Sequence, residues 1–366
     1  MKVVQIVPTL AYGDAVGNDA MAIKTILYNA GYETEIYAES VVKPLDKTAA
    51  KPVDKLYELG KEDVAILHLS TGAKINNDFA DLSCRKIVRY HNVTPPKFFA
   101  KNDSRIEEIN KWALQSVTFL ADKVDYCLTA SEFNKADLIE MGYQCRIDIL
   151  PILIPFDDYK KKPDEKIIKK YQKTPMVLFT GRIVPNKKIE DIIRAFYIYK
   201  KYYNRKAVLV LVGSYKATDI YYKKLATYVE RIGAKDIIFT GHIRFDEILA
   251  YYHCADVFLC QSEHEGFCVP LVEAMFFRIP VIAYKSSAIA FTLGGSGVLM
   301  ETKDPLLVAG MMNCVYQNKQ LREQIIKEEE RRLEDFSYNI VKEQFLEFID
   351  DFIKNGIYDE KKDSDY

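Results

Sequence analysis

Short apolar segments alternate with longer segments of helical periodicity along most of the chain. In the first half, β-branched runs such as VVQIVPT, VAILHLS and KIVRYHNV predict strands. Between them, segments such as NDAMAIKTILYNAG repeat their apolar residues every three to four positions, as one buried face of a helix does. Strands that alternate with helices are typical of a parallel sheet covered by helices on both faces. We therefore predict an α/β fold.

Residues 155–175, PFDDYKKKPDEKIIKKYQKTP, interrupt this alternation with a lysine-rich segment bounded by prolines. The composition indicates an inter-domain linker with one exposed helix. Strands resume after it with MVLFTGRI, AVLVLVGSY, DIIFTGHI, VFLCQS and PVIAY. We predict two doubly wound domains, residues 1–155 and 156–335, with ligands bound in a cleft between them at the carboxyl ends of strands.

Composition narrows the class of protein. The chain has 366 residues, of which 49% are hydrophobic and 28% charged, as in a folded globular protein. A net charge of −1 argues against a general nucleic-acid binder, which needs a basic surface. The seven cysteines form no CxxC pair, which argues against a zinc site or a disulfide framework and favours a reducing cytoplasm. No segment has the roughly 20 apolar residues that span a bilayer.

The segment EHEGFCVPLVEAM contains two glutamates, Glu265 and Glu273, separated by seven residues. They could be a catalytic carboxylate pair, two contacts to one ligand, or ordinary residues of a loop and a helix. Proline suits the first turn of a helix, so Pro270 predicts that a helix starts there and that only Glu273 lies on it. The backbone amides of residues 266–269 then precede a helix N-terminus, an arrangement that favours an anionic ligand. Stabilisation of the helix dipole alone explains Glu273 about equally well.

A second segment, LFTGRIVPNKKIEDIIRAF, places two cations in a strand–helix loop. The strand ends at Gly181, and Arg182 and Lys187 bracket a turn before a helix that begins near Ile189. Arginine grips phosphate oxygens in a bidentate manner, and lysine acts as a point charge. Single loop cations are usually just solvated, but two of them beside an anion-binding helix terminus favour a diphosphate site.

Two loops in the first half are weaker candidates. Gly13 and Gly17 follow the first strand and allow a ligand to approach the backbone, although the loop is neither GxGxxG nor a P-loop. His91 and Asn92 end a later strand, where a histidine is a candidate hydrogen-bond partner for a substrate hydroxyl. A tight turn and a structural histidine are the simpler explanations.

These motifs together resemble the group 1 glycosyltransferases (glycosyltransferase family 4). The run IIFTGHIRFDEILAYYHCADVFLCQSEHEGFCVPLVEAMFFRIPVIAY carries the strongest resemblance, and GRIVPNKK resembles the family's glycine-arginine…lysine segment. The resemblance covers most of the second domain and the first domain more loosely. It implies a GT-B fold of two Rossmann-like domains and a retaining transfer of a sugar from a UDP- or GDP-linked donor, with no obligatory metal or other cofactor. It also implies that the helix in residues 336–354 packs back on the first domain.

The resemblance implies a role for each candidate residue. The catalytic set is Arg182 and Lys187, which hold the diphosphate, Glu265, which contacts the donor sugar, and His91, which lies near the transferring sugar. The donor-binding set comprises Glu273 at the ribose, the loop before its helix and the base pocket: Gly13, Gly213, His242, Ile243, Gly266, Phe267, Cys268 and Glu273. Gly17 and Asn92 are assigned to the acceptor side. Three features depart from the family pattern: Cys268 replaces a common glycine, a Pro-Glu pair is missing near Ala290–Phe291, and the first loop reads GDAVGND.

The predicted activity is hexosyl transfer to a glycan or lipid-linked acceptor in polysaccharide or glycoconjugate biosynthesis. The leaving diphosphate itself is expected to help deprotonate the acceptor hydroxyl, so the protein mainly positions substrates and stabilises charge. A non-catalytic nucleotide-sugar-binding subunit is the alternative. We expect a cytoplasmic protein, and the run YIYKKYYNRK raises peripheral contact with the inner face of the membrane as a further hypothesis. A solvated helix end explains that run more simply.

Overall fold

The computed structural model describes residues 1–11 and 13–355. The chain divides into two compact units. Among the described residues, the first unit comprises residues 1–96, 108–155 and 336–355, and the second comprises residues 97–107 and 156–335. The sequence-based division placed residues 97–107 in the first domain, whereas the structure groups them with the second unit.

The first unit contains a sheet of seven parallel strands: β1 (Val3–Leu10), β2 (Ile36–Val41), β3 (Lys51–Pro52), β4 (Val64–Leu69), β5 (Arg85–Tyr90), β6 (Tyr126–Thr129) and β7 (Ile147–Ile149). Their order across the sheet is β3-β2-β1-β4-β5-β6-β7. The connections run to one side of β1 and then to the other, as in a doubly wound sheet, and the direction reverses between β1 and β4.

The second unit contains six parallel strands: β8 (Met176–Thr180), β9 (Val208–Val212), β10 (Ile237–Gly241), β11 (Val257–Cys260), β12 (Val281–Tyr284) and β13 (Val298–Met300). The strand order β10-β9-β8-β11-β12-β13 repeats the topology of the first sheet. Its direction of connection therefore reverses between β8 and β11.

Thirteen α-helices connect or cover these strands in the part of the chain that the structure describes: α1 (Ala15–Asn29), α2 (Lys74–Asp78), α3 (Ser104–Leu120), α4 (Glu132–Glu140), α5 (Glu165–Tyr171), α6 (Ile189–Tyr202), α7 (Ile220–Arg231), α8 (Phe245–Cys254), α9 (Val269–Phe276), α10 (Ile289–Leu293), α11 (Pro305–Gln317), α12 (Lys319–Glu334) and α13 (Tyr338–Asn355). Helix α6 illustrates the sequence pattern: the predicted stripe of Ile189, Ile192, Ile193 and Phe196 is fully buried against the second sheet. None of the helices among the described residues is long and apolar enough to cross a membrane.

The last helix, α13, belongs to the first unit although it follows the whole of the second in sequence. Its apolar face, with Val341, Phe345 and Ile349 fully buried, packs into the cluster that includes Val3 of β1 and Ile23 of α1. The C-terminal half of α13 is also held by a hydrogen bond of 2.6 Å from the Tyr32 hydroxyl to Asp350, an ion pair between Arg146 and Asp351, and the stacking of Arg85 over the Phe352 ring.

The segment predicted as a linker is instead part of the second unit. Tyr171 at the end of α5 is 8% exposed and packs on Tyr251 of α8, with ring centroids 5.9 Å apart. The backbone amide of Asp164 donates to the carbonyl of Asp246 at 2.9 Å. The lysine-rich composition reflects only the solvated face of this segment. Its tyrosines are buried, whereas lysine side chains are rarely buried in proteins.

Candidate functional site

Two loops of the second unit meet where its sheet changes the direction of connection. Strands β8 and β11 are neighbours, and the loops at their carboxyl ends run to opposite faces of the sheet. The loop after β8 carries Arg182 and Lys187, and the loop after β11 carries Glu265 and leads into α9. Topology therefore brings together residues that lie 78 positions apart in the sequence.

Lys187 and Glu265 form the central ion pair of this site. The Nζ atom of Lys187 lies 2.6 Å from Oε1 and 2.7 Å from Oε2 of Glu265. Both side chains are largely buried, with 16% of the lysine and 8% of the glutamate exposed. Burial alone would lower the pKa of Lys187, but the charge of Glu265 and the nearby Cys268 outweigh it and raise the pKa. Lys187 is thus a fixed cation beside a carboxylate.

A set of hydrogen bonds holds the two loops against each other. The buried side chain of Asn186 donates to the carbonyl of His264 at 3.0 Å, and the carbonyl of Asn186 accepts from the amide of Glu263 at 2.8 Å. The amide of Glu265 donates to the hydroxyl of Ser287 at 2.8 Å. These bonds position the backbone on both sides of the ion pair, which limits the freedom of Lys187 and Glu265.

Arg182 differs from Lys187 in its surroundings. Both cations were predicted to project from the loop, but only Arg182 is exposed. Among the residues that the structure describes, its guanidinium has no hydrogen-bond or ion-pair partner. Its donors can therefore turn toward a ligand without breaking a contact within the protein, whereas Lys187 already has an anionic partner.

Helix α9 begins one residue earlier than predicted, at Val269, with Pro270 in its first turn. Cys268, at the N-cap, adopts the left-handed conformation with φ 74° and ψ 65°. This conformation suits glycine, so the backbone keeps the geometry that a glycine would adopt although a cysteine occupies the position. Phe267 is buried, and its carbonyl accepts a hydrogen bond from the Thr292 hydroxyl. Gly266, Phe267 and Cys268 thus form a fixed loop before the helix.

Glu273 lies on α9 and is held by two tyrosines. The Tyr159 hydroxyl donates to Oε1 at 2.7 Å, and the Tyr252 hydroxyl donates to Oε2 at 2.5 Å. Tyr252 also lies 2.6 Å from the Thr180 hydroxyl at the end of β8. Burial raises the pKa of Glu273, although the two tyrosine hydrogen bonds act in the opposite direction. Each oxygen of Glu273 keeps a further lone pair, so the carboxylate can still accept from a ligand hydroxyl.

The base-pocket candidates lie at the carboxyl ends of β9 and β10. An antiparallel bridge joins Gly213 and Gly241, which immediately follow and end these strands. A Cβ atom at Gly213 would lie 1.8 Å from the carbonyl oxygen of Gly181, so only glycine allows the two loops this close. His242 is exposed and Ile243 is half-buried. The base-pocket candidates Gly213, His242 and Ile243 therefore lie at the same edge of the sheet as the Lys187–Glu265 ion pair.

In the first unit, Gly13 and Gly17 lie in the turn between β1 and α1. Gly13 has φ 79° and is exposed, and its amide donates to the Asn18 side chain at 3.2 Å. Gly17 is buried in the first turn of α1. A Cβ atom at Gly17 would lie 2.1 Å from the carbonyl oxygen of Ala11, so this glycine allows the helix to start directly against the strand end.

His91 takes part in a buried hydrogen-bond chain. Its Nε2 atom lies 2.9 Å from Nδ1 of His68, and Nε2 of His68 lies 2.9 Å from Oε1 of Gln5. Asp19 is near, with Oδ2 3.8 Å from Nε2 of His91. Burial, followed by the charges of His68 and Arg89, holds the pKa of His91 well below its usual value. His91 is therefore neutral near pH 7.

Asn92 points toward α4. It has φ 74° and is 8% exposed, and its side-chain amide donates to the side chains of Asn134 at 3.0 Å and Asp137 at 3.4 Å. The Tyr90 hydroxyl donates to the same Asp137 oxygen at 2.6 Å. These contacts give Asn92 a structural role in the turn after β5. Its assignment to the acceptor side stays a prediction.

Two groups among the described residues bring metal-binding donor atoms within 4.8 Å of one another: Asp19, His68 and His91, and Cys260, Glu265 and Cys268. In the first group, Asp19 accepts from Arg89 at 3.0 Å and from the amide of Leu153 at 2.9 Å. In the second, Glu265 is paired with Lys187. The donors already engage the protein itself, and a metal-independent site stays our prediction.

Sequence reasoning missed the residues that support the candidates. Tyr159 lies in the segment predicted as a linker, and His68 was assigned only to the interior of a strand. Gln5, Asp19 and Arg89 are polar residues within apolar patterns, and all three are fully buried. Polar side chains in such positions are rarely buried without a partner, and this is the signal that could have found them.

The sequence of the second unit is similar to known glycosyltransferases. Residues 160–332 match the model of the family described as glycosyl transferases group 1. The chain is 24% identical over 231 residues to the O-antigen chain mannosyltransferase B of Escherichia coli, covering 60% of this chain and 58% of that protein. It is 26% identical over 199 residues to the capsular polysaccharide biosynthesis glycosyltransferase CapM of Staphylococcus aureus, covering 53% and 51%. The matches thus span about half the length of these relatives.

The fold has close counterparts among solved structures. The Anabaena protein Alr3699/HepE, solved in complex with UDP-glucose, superposes with a TM-score of 0.74 at 17% identity, covering 96% of this chain and all of that one. At this identity the likeness shows the fold alone, which is the predicted GT-B fold of two Rossmann-like parallel sheets. The sequence match assigns residues 160–332, within the second unit, to the family of group 1 glycosyl transferases.

Proposed function

We propose that this protein is a retaining glycosyltransferase. It moves a hexosyl group from a nucleoside-diphosphate sugar to a hydroxyl of a glycan or lipid-linked acceptor, in the assembly of a polysaccharide or glycoconjugate. The observation that carries the proposal is the Lys187–Glu265 pair, which lies where the second sheet changes direction and just before the N-terminus of α9. Such a position favours an anionic ligand such as a diphosphate.

Each group then has a chemical task. Arg182 and Lys187 bind the diphosphate, and Glu265 accepts hydrogen bonds from hydroxyls of the donor sugar. Lys187 is already oriented by Glu265, so a diphosphate gains a cation that needs little reorganisation. Glu273, fixed by Tyr159 and Tyr252, accepts from the ribose hydroxyls. The base lies against the three residues at the ends of β9 and β10: Gly213, His242 and Ile243.

The reaction proceeds on one face of the sugar. The bond between the anomeric carbon and the phosphate oxygen breaks, and a bond from the acceptor oxygen to the same carbon forms on the same face. The proton of the acceptor hydroxyl passes to an oxygen of the leaving diphosphate. Negative charge grows on the diphosphate in the transition state. The cations Arg182 and Lys187 therefore stabilise the transition state more than the ground state, which lowers the barrier.

The donor is the first substrate to identify. Names and complexes of similar proteins point to a mannosyl donor and to UDP-glucose. A thermal-shift panel of UDP, GDP and ADP, followed by GDP-mannose and UDP-glucose, identifies the base and the sugar because a ligand that binds the native state raises its stability. Arg182→Ala should reduce the shift, whereas Arg205→Ala, which removes an exposed arginine of another loop, should leave it unchanged.

Turnover tests the enzyme against the alternative of a binding subunit. With the donor identified, release of the nucleoside diphosphate is measured with and without an acceptor mixture of simple glycosides. We expect slow hydrolysis without acceptor and faster release with a suitable one, and a product of the same anomeric configuration by NMR. A chain that binds the donor but releases no diphosphate under either condition is a binding subunit, and the proposal is then wrong.

Peripheral contact with a membrane has its own test. Lys200 in the run YIYKKYYNRK donates to the carbonyls of Arg205 and Ala207, both at 2.8 Å, and pairs with Asp236 at 2.8 Å. Lys200 therefore joins α6 to the loop before β9, and its charge is paired within the protein, which favours an ordinary helix end over a lipid contact. Flotation with vesicles that contain anionic lipid checks this, and recovery of the protein with the vesicles would favour the membrane hypothesis.

A further inference from the structure

A chain of polar side chains crosses the interior of the first unit and ends at His91. Gln5 on β1 and His68 on β4 lie on neighbouring strands, and His91 directly follows β5, the next strand across the sheet. Gln5 and His68 are fully buried, and only 4% of the His91 side chain is exposed. The two imidazole planes are within 15° of each other, which suits a hydrogen bond in the plane of both rings.

The direction of every hydrogen bond in this chain follows from its first member. The side-chain nitrogen of Gln5 donates to the carbonyl of Ala20 at 2.9 Å, so the nitrogen and oxygen of this amide cannot be exchanged. Its oxygen, which only accepts, faces Nε2 of His68 at 2.9 Å. His68 must therefore carry its proton on Nε2, and in the neutral ring Nδ1 is left as an acceptor.

The protonation of His91 is fixed in the same way. Its Nε2 atom lies 2.9 Å from Nδ1 of His68, and because that atom accepts, Nε2 of His91 must donate. A neutral His91 then has no proton on Nδ1. Among residues 1–11 and 13–355, no protein group forms a hydrogen bond with this nitrogen. His91 thus has a lone pair and not an N–H group at Nδ1.

Burial, aided by the charge of Arg89, lowers the pKa of both rings and keeps them neutral. Burial lowers the pKa of His68 from 6.5 to about 4. The Asp19 carboxylate, the nearest anion, is already satisfied: it accepts from Arg89 at 3.0 Å and from the amide of Leu153 at 2.9 Å. Arg89 also donates to the carbonyls of Leu150 at 2.6 Å and Pro151 at 3.1 Å. This buried pair holds α1 and the segment after β7 around the two histidines.

We propose that Gln5 and His68 are positioning residues that hold His91 as the Nε2–H tautomer, so that Nδ1 accepts a hydrogen bond from a sugar hydroxyl of the substrate. A phosphate oxygen has no proton to donate and is a poor partner for this lone pair. The orientation therefore selects a hydroxyl over a phosphate at this place. The proposal rests on the function proposed above and refines it.

The tautomer can be measured without any activity. In protein labelled with ¹⁵N-histidine, long-range ¹H–¹⁵N correlations distinguish a protonated from an unprotonated ring nitrogen. Five histidines are few enough to assign with His68→Gln and His91→Gln variants. We expect wild-type His91 to be protonated on Nε2 and to have a free lone pair on Nδ1. Protonation on Nδ1 would overturn the proposal even if transfer activity is present.

A variant then tests the cause. Gln5→Leu removes the fixed acceptor and should give His91 a mixture of both tautomers. Gln261→Leu is the matched control, since Gln261 is equally buried, on β11's carboxyl end in the second unit, and far along the sequence from the histidines. It should leave the His91 signals unchanged. A folded Gln5→Leu variant with an unchanged His91 tautomer would show that the chain from Gln5 does not set it.

Donor analogues test the ligand. Fluorine replaces a hydroxyl in size but cannot donate a hydrogen bond, so one deoxyfluoro sugar in the donor series should bind about 2- to 10-fold more weakly to the wild type. That penalty should disappear in His91→Ala. Unchanged nucleotide affinity shows that the donor site itself is intact. If every fluorinated donor loses the same factor with wild type and with His91→Ala, His91 does not accept from the sugar and the proposal is wrong.

Discussion

In the second unit, Nζ of Lys187 lies between the two carboxylate oxygens of Glu265, at 2.6 Å and 2.7 Å. The two residues lie 78 positions apart, on the loops after adjacent strands, and both are largely buried. This pair has two functions that can be separated. It neutralises a buried carboxylate, and it holds a cation where a diphosphate is proposed to bind.

Lys187→Ala is expected to reduce turnover by about 10²- to 10³-fold, because it removes an electrostatic group that acts on the developing charge. It should also destabilise the protein by about 3 kcal/mol, since Glu265 is left buried without its partner. Release of the nucleoside diphosphate and denaturant unfolding measure the two effects.

The double variant Lys187→Ala/Glu265→Gln separates these effects. Replacing the carboxylate with a neutral amide should restore most of the lost stability but none of the turnover. Lys188→Ala is the control for the loop, since its partially exposed side chain pairs with the half-buried Glu190 and Glu263, at 3.8 Å and 3.3 Å. Near-normal turnover in Lys187→Ala would contradict the assignment of this residue.

Tyr252→Phe is expected to weaken nucleotide binding and to destabilise the protein by about 1.5–3 kcal/mol, the usual range for a lost hydrogen bond to a charged group. It removes one of the two hydroxyl groups that orient Glu273 and leaves the Thr180 hydroxyl without this partner. Isothermal titration with the preferred nucleotide and thermal unfolding test this. Tyr251→Phe, on the same helix and without a hydroxyl hydrogen bond among the described residues, should change neither quantity.

Cys268→Gly and Cys268→Ala should differ in stability by about 1 kcal/mol in favour of glycine. Cys268 has φ 74°, a conformation that is strained for any residue with a Cβ atom and unstrained for glycine. Both variants lose the thiol, so the difference between them isolates the backbone strain. Chemical denaturation gives this difference directly. If alanine is as stable as glycine, the left-handed turn before α9 is absent in solution.

Acidification should destabilise the wild type more than His68→Gln. The pKa of His68 is about 4 in the folded protein, below its ordinary value of 6.5, because of burial. Between these values the unfolded chain binds a proton that the folded chain does not, so stability is present above about pH 6.5 and is lost as the pH falls toward 4. From pH 7 to pH 5, this removes about 2 kcal/mol from the wild type.

Denaturant unfolding at several pH values measures the effect as a difference between the two proteins, which cancels the contributions of other groups. His242→Gln, which removes an exposed histidine, is the control and should follow the wild type. Parallel pH curves for wild type and His68→Gln would mean that His68 takes up its proton equally in the folded and unfolded chains.

Periodicity was enough to predict the two parallel sheets, because strand and helix repeats depend on nearby residues alone. The stripe at Ile189 and Phe196 and the start of α9 near Pro270 are examples, the latter one residue late. Contacts between residues that are distant in the sequence could not be predicted, because they depend on the order of the strands in the sheet. Strand order alone decides that Lys187 meets Glu265 and that Gln5 on β1 reaches His68 on the neighbouring strand β4. Tyr159 was missed because the many lysines of its segment indicated an exposed linker, in which a buried tyrosine is not expected.

The position of α13 has a consequence for how the chain folds during synthesis. In the first unit, Val341, Phe345 and Ile349 of α13 are buried in the apolar cluster that includes Val3 and Ile23. This cluster therefore stays incomplete until α13 has left the ribosome. The second unit, residues 156–335 with 97–107, is complete in sequence before that helix is made. Although domains usually fold in the order of synthesis, the unit that begins first here is the one that can finish last.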